Sequence, residues 1–175
     1  MDMARPRYPG GLKKALTFSY DDGQVHDRRL VALLNRHGLR GTFHLNTGTL
    51  GARNDADAFV EAGEVASLYA GHEVACHGVR HRYLTHLAPQ ELVAEIWEDR
   101  RALERLVDGP VTGHSSAFGE YSQAMVRTLA DLGTEYARTV EATGTRGRPT
   151  DLTAWRPTRP HHGSAHPIQS FVASP

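Results

Sequence analysis

Cysteine is almost missing from this chain: Cys76 stands alone among 175 residues. One cysteine excludes an internal disulfide framework and any thiolate-built zinc cluster, so a metal site would have to be made of histidine and carboxylate. Long apolar runs are missing too. Nothing approaches the roughly 18–20 residues of a membrane span, and residues 1–14 hold no apolar core of a secretory leader. The expectation is a cytoplasmic chain with no membrane partner. Charge of one sign is also lacking, because Lys plus Arg and Asp plus Glu both number 20. Without a basic stripe there is no footprint for a phosphate backbone, and a nucleic-acid partner is not expected. What remains is ordinary for one globular domain, with 39% hydrophobic and 23% charged residues. The one outlying count is the 11 histidines.

Strand and helix patterns alternate along the chain. Residues 15–20 (ALTFSY) read as a buried strand running into a polar Asp21-Asp22-Gly23 loop. A helix over 27–37 follows, with Leu30, Leu33 and Leu34 on one face and Gly38 at its C′ position. Further pairs are a strand at 41–45 with a helix near 57–69, and a strand at 73–76 with a helix near 89–107. A strand at 111–115 then precedes a helix near 122–132. Leu92, Ile96, Leu103, Leu106 and Val107 form the apolar stripe of the third helix, where Trp97 reads as packing, and Gly109-Pro110 ends it. A fifth strand at 135–140 leads into a loop-like stretch over 141–167, and a sixth strand is a candidate at 168–172. This alternation implies a parallel α/β sheet. A full (β/α) barrel takes about 250 residues and seldom fewer than 200, so the expected fold is an incomplete, distorted (β/α) barrel of five to six parallel strands. In such a sheet the chemistry gathers at the strand C-termini.

Three features there carry chemistry. Adjacent Asp21 and Asp22 form a turn in the simplest reading, since Asp-Gly is a strong turn dipeptide. At a strand end, however, neighbouring side chains diverge, so one carboxylate can ligate a cation while the other faces water. His77 and His81 lie four apart, which would put them on one face of a helical turn where two imidazoles can grip one ion, though exposed surface histidines give the same pattern. Taken with Asp22 they form a two-His, one-carboxylate set that leaves positions open for water and substrate. Asn46 ends the second strand, where it can reach substrate or cap a loop. Cys76 reads as a small core residue.

The stretch Thr17-Phe18-Ser19-Tyr20-Asp21-Asp22-Gly23, followed by Glu73-Val74-Ala75-Cys76-His77-Gly78-Val79-Arg80-His81, resembles the polysaccharide deacetylases of NodB-like type (carbohydrate esterase family 4). The resemblance spans about residues 12–162. It implies a metal-dependent hydrolase that removes the acetyl group from an N-acetylated amino sugar in an oligo- or polysaccharide. By this resemblance Asp21 is the general base, and Asp22, His77 and His81 are the ligands of a divalent metal. Zinc is the first choice, and cobalt, nickel or manganese also suits such an N/O site.

The other family motifs depart from the pattern. Where most members have Arg-Pro-Pro-Tyr-Gly, this chain has Ser115-Ser116-Ala117-Phe118-Gly119. The backbone N–H near Phe118 remains as the oxyanion donor, but the Arg that steadies the base is gone, leaving Ser115 or His114 as weak substitutes. A divergent bacterial subgroup shares this form and phrases such as Tyr136-Ala137-Arg138-Thr139-Val140. Trp155 lies in a segment resembling the wall of the sugar pocket, and a loop Trp closing the core is the competing reading. The late Leu-x-His motif that supplies a general acid is not found. His161 and His162 are its only nearby candidates, and a solvated loop position is the alternative for each. The expected domain layout is an N-terminal extension over 1–14 and a C-terminally incomplete deacetylase domain over 15–175. Two rival functions follow: hydrolysis of a small amide by an allantoinase-like relative, or a catalytically impaired carbohydrate-binding remnant. Nothing in the sequence specifies an oligomeric state.

Overall fold

A computed structural model describes residues 8–145, 147, 149, 151–160, 169, 171 and 173. Five strands, β1 (Ser19–Asp22), β2 (Thr42–Leu45), β3 (Glu73–Cys76), β4 (Gly113–Ser115) and β5 (Tyr136–Arg138), pair in sequence order. Every pairing is parallel, with Asp21 beside His44, His44 beside Ala75, and Ser115 beside Arg138. The sheet curls into half a barrel. Helices α1 (Asp27–Arg36), α2 (Val65–Leu68), α3 (Pro89–Val107) and α4 (Gln123–Asp131) supply the crossovers.

Strand side chains alternate between two faces. Phe43, Leu45, Val74 and Cys76 point outward and pack with Val31, Leu34, Val65, Tyr69 and Leu103 in the main core. A second cluster joins Leu92 and Ile96 of α3 to Met125 and Leu129 of α4 and Ala137 of β5. The inner face is polar, carrying Ser19, Asp21, Ser115 and Arg138, which are hydrogen-bonded to one another across it. Cys76 is buried core, as expected.

Several elements differ from their sequence reading. The first strand lies later, so both aspartates sit inside it and not in a loop beyond it. Only Val65–Leu68 of the expected 57–69 helix is α-helical. Residues before it are drawn into extended pairing, with Phe59 bridged to Gln24 and the Val60 N–H bonded to the Gly23 carbonyl at 2.9 Å. On α1 the buried stripe is Asp27, Val31 and Leu34, while Leu33 is 37% exposed. Trp97 is not packing: it is 40% exposed, with the Arg100 guanidinium over its ring at 6.0 Å. Within the candidate sixth strand at 168–172, the described residues, Gln169 and Phe171, are helical. The outer edge of β5 is instead paired through Leu152 and Trp155, whose backbones bond to Ala137 and Thr139 at 2.8 Å each. No helix among the described residues is long and apolar enough to cross a membrane.

Candidate active site

The C-terminal ends of β1 and β3 bring Asp22, His77 and His81 together, with one ligand atom from each lying within 4.8 Å of the others. Asp22 Oδ1 is 3.5 Å from His77 Nε2 and 3.4 Å from His81 Nε2. Ligands at about 2.1 Å on a tetrahedral ion are spaced by roughly this much. The tautomer also suits a metal. His77 Nδ1 lies 2.7 Å from the Ser115 carbonyl, which can only accept, so Nδ1 carries the proton and the Nε2 lone pair faces Asp22. The residues present therefore fit a divalent cation.

The two histidines do not share a helical turn as expected: residues 77–81 are irregular, with Gly78 at φ 82° and His81 at φ 52°. Backbone conformation marks the same place. Among the described residues, four non-glycines have positive φ, and three of them are Asp22 (77°), His81 (52°) and Phe118 (58°). Left-handed backbone is unfavourable for such residues and persists where the surroundings impose it, which happens most often at functional sites. Phe118, 46% exposed, lies with its ring 4.6 Å from that of His81 and stacked on Tyr83 at 3.8 Å. The turn is fixed at Gly119, where φ is 76° and a Cβ would come within 2.1 Å of Val140 Cγ2.

Asp21 faces the other way, into the half-barrel. It pairs with Arg138 and lies 3.3 Å from His44 Nδ1. Burial alone would raise its pKa, but the His44 hydrogen bond and the charges of His77 and Arg138 outweigh it and hold Asp21 well below the usual carboxylate range. His77 is driven down by burial and up by Asp22, Asp21 and the Ser115 carbonyl, with a net rise. Burial and the neighbouring His77 push His81 down.

Arg138 is the functional residue that motif reading missed. Nε donates to Ser19 Oγ at 2.8 Å, and one terminal nitrogen donates to both Asp21 Oδ1 and Ser115 Oγ, the latter at 2.9 Å. The cation absent from the third motif thus arrives from the next strand. Its only advance signal was its place in the shared phrase around Tyr136–Thr139. The substitutes suggested for it fill other roles. Ser115 is a partner of Arg138, while His114 is fully buried, its pKa pushed down to about 3 by burial, and neither ring nitrogen has a partner among the described residues.

At two positions that were read in two ways, the structure shows the structural contacts. Asn46 is buried, and its Nδ2 donates to the carbonyls of His77 and Gly78 at 2.8 Å each, as a loop cap does. A strand-end Asn on β2 lies directly beside the chain leaving β3, which is why its amide is taken up there. Trp155 bridges β5 and sets its ring edge-on to Tyr136, 6.0 Å between centroids, in the manner of a loop residue closing the core. His161 and His162 lie outside the described residues.

Comparison with known proteins bears on the fold and the family. Among solved structures the chain is similar to the Streptococcus pyogenes deacetylase PplD in complex with acetate, with TM-score 0.77, 17% identity, and coverage of 93% of this chain and 72% of that one. It is similar to IcaB from Ammonifex degensii, with TM-score 0.77, 14% identity, and coverage of 89% and 72%. It also matches BA3943 from Bacillus anthracis, described as a CE4 family pseudoenzyme, with TM-score 0.58, 17% identity, and coverage of 71% and 43%. No curated protein sequence matches the chain. A family model for polysaccharide deacetylase matches residues 10–137. That span runs from ahead of β1 into β5 and takes in Asp21, Asp22, His77, His81 and Phe118, so the chain belongs to the polysaccharide deacetylase family.

Proposed function

We propose that this chain is a metal-dependent deacetylase acting on the N-acetyl group of an amino-sugar oligo- or polysaccharide. The observation that carries this reading is the convergence of Asp22, His77 and His81 beside a separately partnered Asp21. Asp22 Oδ1 and the two Nε2 atoms would hold the ion, zinc by preference among the metals an N/O set accepts. When bound, such an ion supplies Lewis acidity to the acetamide carbonyl and makes water acidic enough to ionise near neutral pH. Asp21, kept ionised by Arg138 and His44, is the base that takes the water proton. The Phe118 main-chain N–H, turned by its left-handed φ, is the proposed donor to the oxyanion, a role whose loss typically lowers the rate by about 10²–10³.

Arg138 bears on the choice between enzyme and inert remnant. A binding remnant has no need of a guanidinium held on its inner carboxylate, whereas a general base does. The test is release of acetate from an N-acetylglucosamine oligomer by chelator-stripped protein, before and after addition of Zn²⁺ or Co²⁺. Release that requires metal and is lost in Asp21→Asn is the expected result. Turnover of a small cyclic amide with none of the oligosaccharide would select the allantoinase-like reading, and absence of both would overturn the hydrolase.

A further inference from the structure

The apolar stripe of α3 contains two carboxylates: its buried residues are Leu92, Glu95, Ile96, Asp99 and Leu103. Glu95 is 3% exposed and Asp99 0%. Burying an ionisable group is strongly unfavourable unless hydrogen bonds replace its water. The bonds that do so come from the His77–Arg80 segment between the two histidine ligands and from Thr47 after β2.

Asp99 Oδ2 accepts from the backbone N–H of His77 and of Gly78, both at 3.1 Å. Its Oδ1 accepts from the Thr47 N–H at 2.9 Å and the Thr47 hydroxyl at 2.7 Å. One turn earlier, the Glu95 carbonyl accepts from the Val79 N–H at 3.3 Å and the Glu95 carboxylate from the Arg80 N–H. Four successive N–H groups, from His77 to Arg80, therefore reach two residues of one helix, that of His77 being shared with the Leu45 carbonyl at 3.1 Å. The opposite side of the loop is held by Asn46, which takes the carbonyls of His77 and Gly78, and by Gly48, whose N–H donates to the Val79 carbonyl. His77 opens this segment and His81 closes it.

We infer that Asp99, supported by Glu95, is a positioning residue for metal binding: it fixes the 77–81 loop in its ligand conformation before the ion arrives. This inference rests on the metal reading proposed above. A loop that merely joins β3 to α3 needs no buried anion under it, since α3 could present a leucine there and leave the loop to water. Charge-assisted bonds to successive N–H groups are instead suited to holding a backbone still. A preformed site avoids ordering the loop on binding, and partners one step removed from a metal typically change its affinity by about 10–100-fold.

The test uses the chain stripped of metal. In Asp99→Asn one oxygen still serves Thr47 while an amide donor is turned against two N–H donors. The variant is expected to melt cooperatively without metal, to bind Zn²⁺ about 10–100-fold more weakly in competition with a chromophoric chelator, and to show an altered visible spectrum when loaded with Co²⁺. A lower melting temperature with unchanged zinc affinity and cobalt spectrum would mean a structural role only and would overturn the inference. If Asp99→Asn does not fold, Thr47→Val removes one donor to the same carboxylate and should weaken zinc binding about threefold. An unchanged affinity there overturns the inference equally. If the unaltered chain binds no zinc, the metal reading itself fails, an outcome distinct from equal binding by both proteins.

Discussion

Asp21 and Asp22 are identical in chemistry and adjacent in sequence, and their surroundings separate them. The strand alternation turns Asp21 toward Arg138 and His44, and a φ of 77° turns Asp22 toward the two imidazoles. Replacing Arg138 with Met is expected to slow deacetylation by about 10²-fold, the lower range of what a positioned base contributes, while zinc binding measured by dialysis stays as it was. An unaltered rate would remove Arg138 from the mechanism. The Asp22, His77 and His81 cluster and the neighbouring Asp21 were legible in the sequence because each residue lies within a short motif. Arg138 was not, since it reaches Asp21 from 117 residues away and only strand order brings the two together. A second residue-scale effect concerns Asp27, whose pKa is pushed up to about 6 from 3.8, chiefly by burial, with the Tyr69 hydrogen bond opposing and Asp22 adding. The folded chain then keeps a proton that the unfolded chain has released between those values. Stability should fall as pH rises from about 4 to 6, by up to ~3 kcal/mol for a shift of two units. Urea unfolding at the two ends of this window should show a smaller fall in Asp27→Asn than in the unaltered chain, the remainder coming from Asp99, which burial also pushes up to about 6.

At the scale of elements, local signals located most strands and the long helix but not what competes with them. The pattern over 57–69 suits a helix, yet Phe59 and Val60 are taken by pairing with the segment after β1, and the helix begins only after the Glu61–Glu64 capping box. Likewise the stripe of α3 was read as wholly apolar because periodicity weighs hydrophobicity alone. Glu95 and Asp99 occupy two of its buried positions, and their partners become visible only when β3 is in place. Caps, by contrast, act locally. Ser122 Oγ accepts from the Met125 N–H at 3.2 Å at the start of α4, so Ser122→Ala should lower stability by about 0.5–2 kcal/mol, read from thermal melts. The turn after β4 is more demanding. Gly119→Ala should displace Phe118 and cut turnover with metal binding retained, and Val140→Ala in the same chain should restore only part of it, because the positive φ remains unfavourable for alanine. Full recovery in the double variant, measured by acetate release, would assign the whole effect to the Val140 clash.

Across the whole molecule, one sheet with strand order 1-2-3-4-5 sets hydrophobic side chains outward against helices and leaves a polar inner face. The strand–helix alternation was enough to give this architecture of parallel strands in a curled half-barrel. It could not show that β5 would be covered by Leu152 and Trp155, a pairing made by a stretch with no periodicity. The parallel order delivers β1 and β3 to one end with β2 between them, so Asp22 meets His77 and His81 across a neighbour whose own last residues, Leu45 and Asn46, are buried support. The account thus depends on two adjacent carboxylates doing different work at one end of the sheet. The most direct measurement is zinc bound per chain by equilibrium dialysis, set beside acetate release, for the unaltered protein, Asp21→Asn and Asp22→Asn. The expected result is one zinc in the unaltered chain and in Asp21→Asn, with turnover lost in the latter, and little zinc in Asp22→Asn. Equal zinc binding by both variants, or none by the unaltered chain, would contradict it.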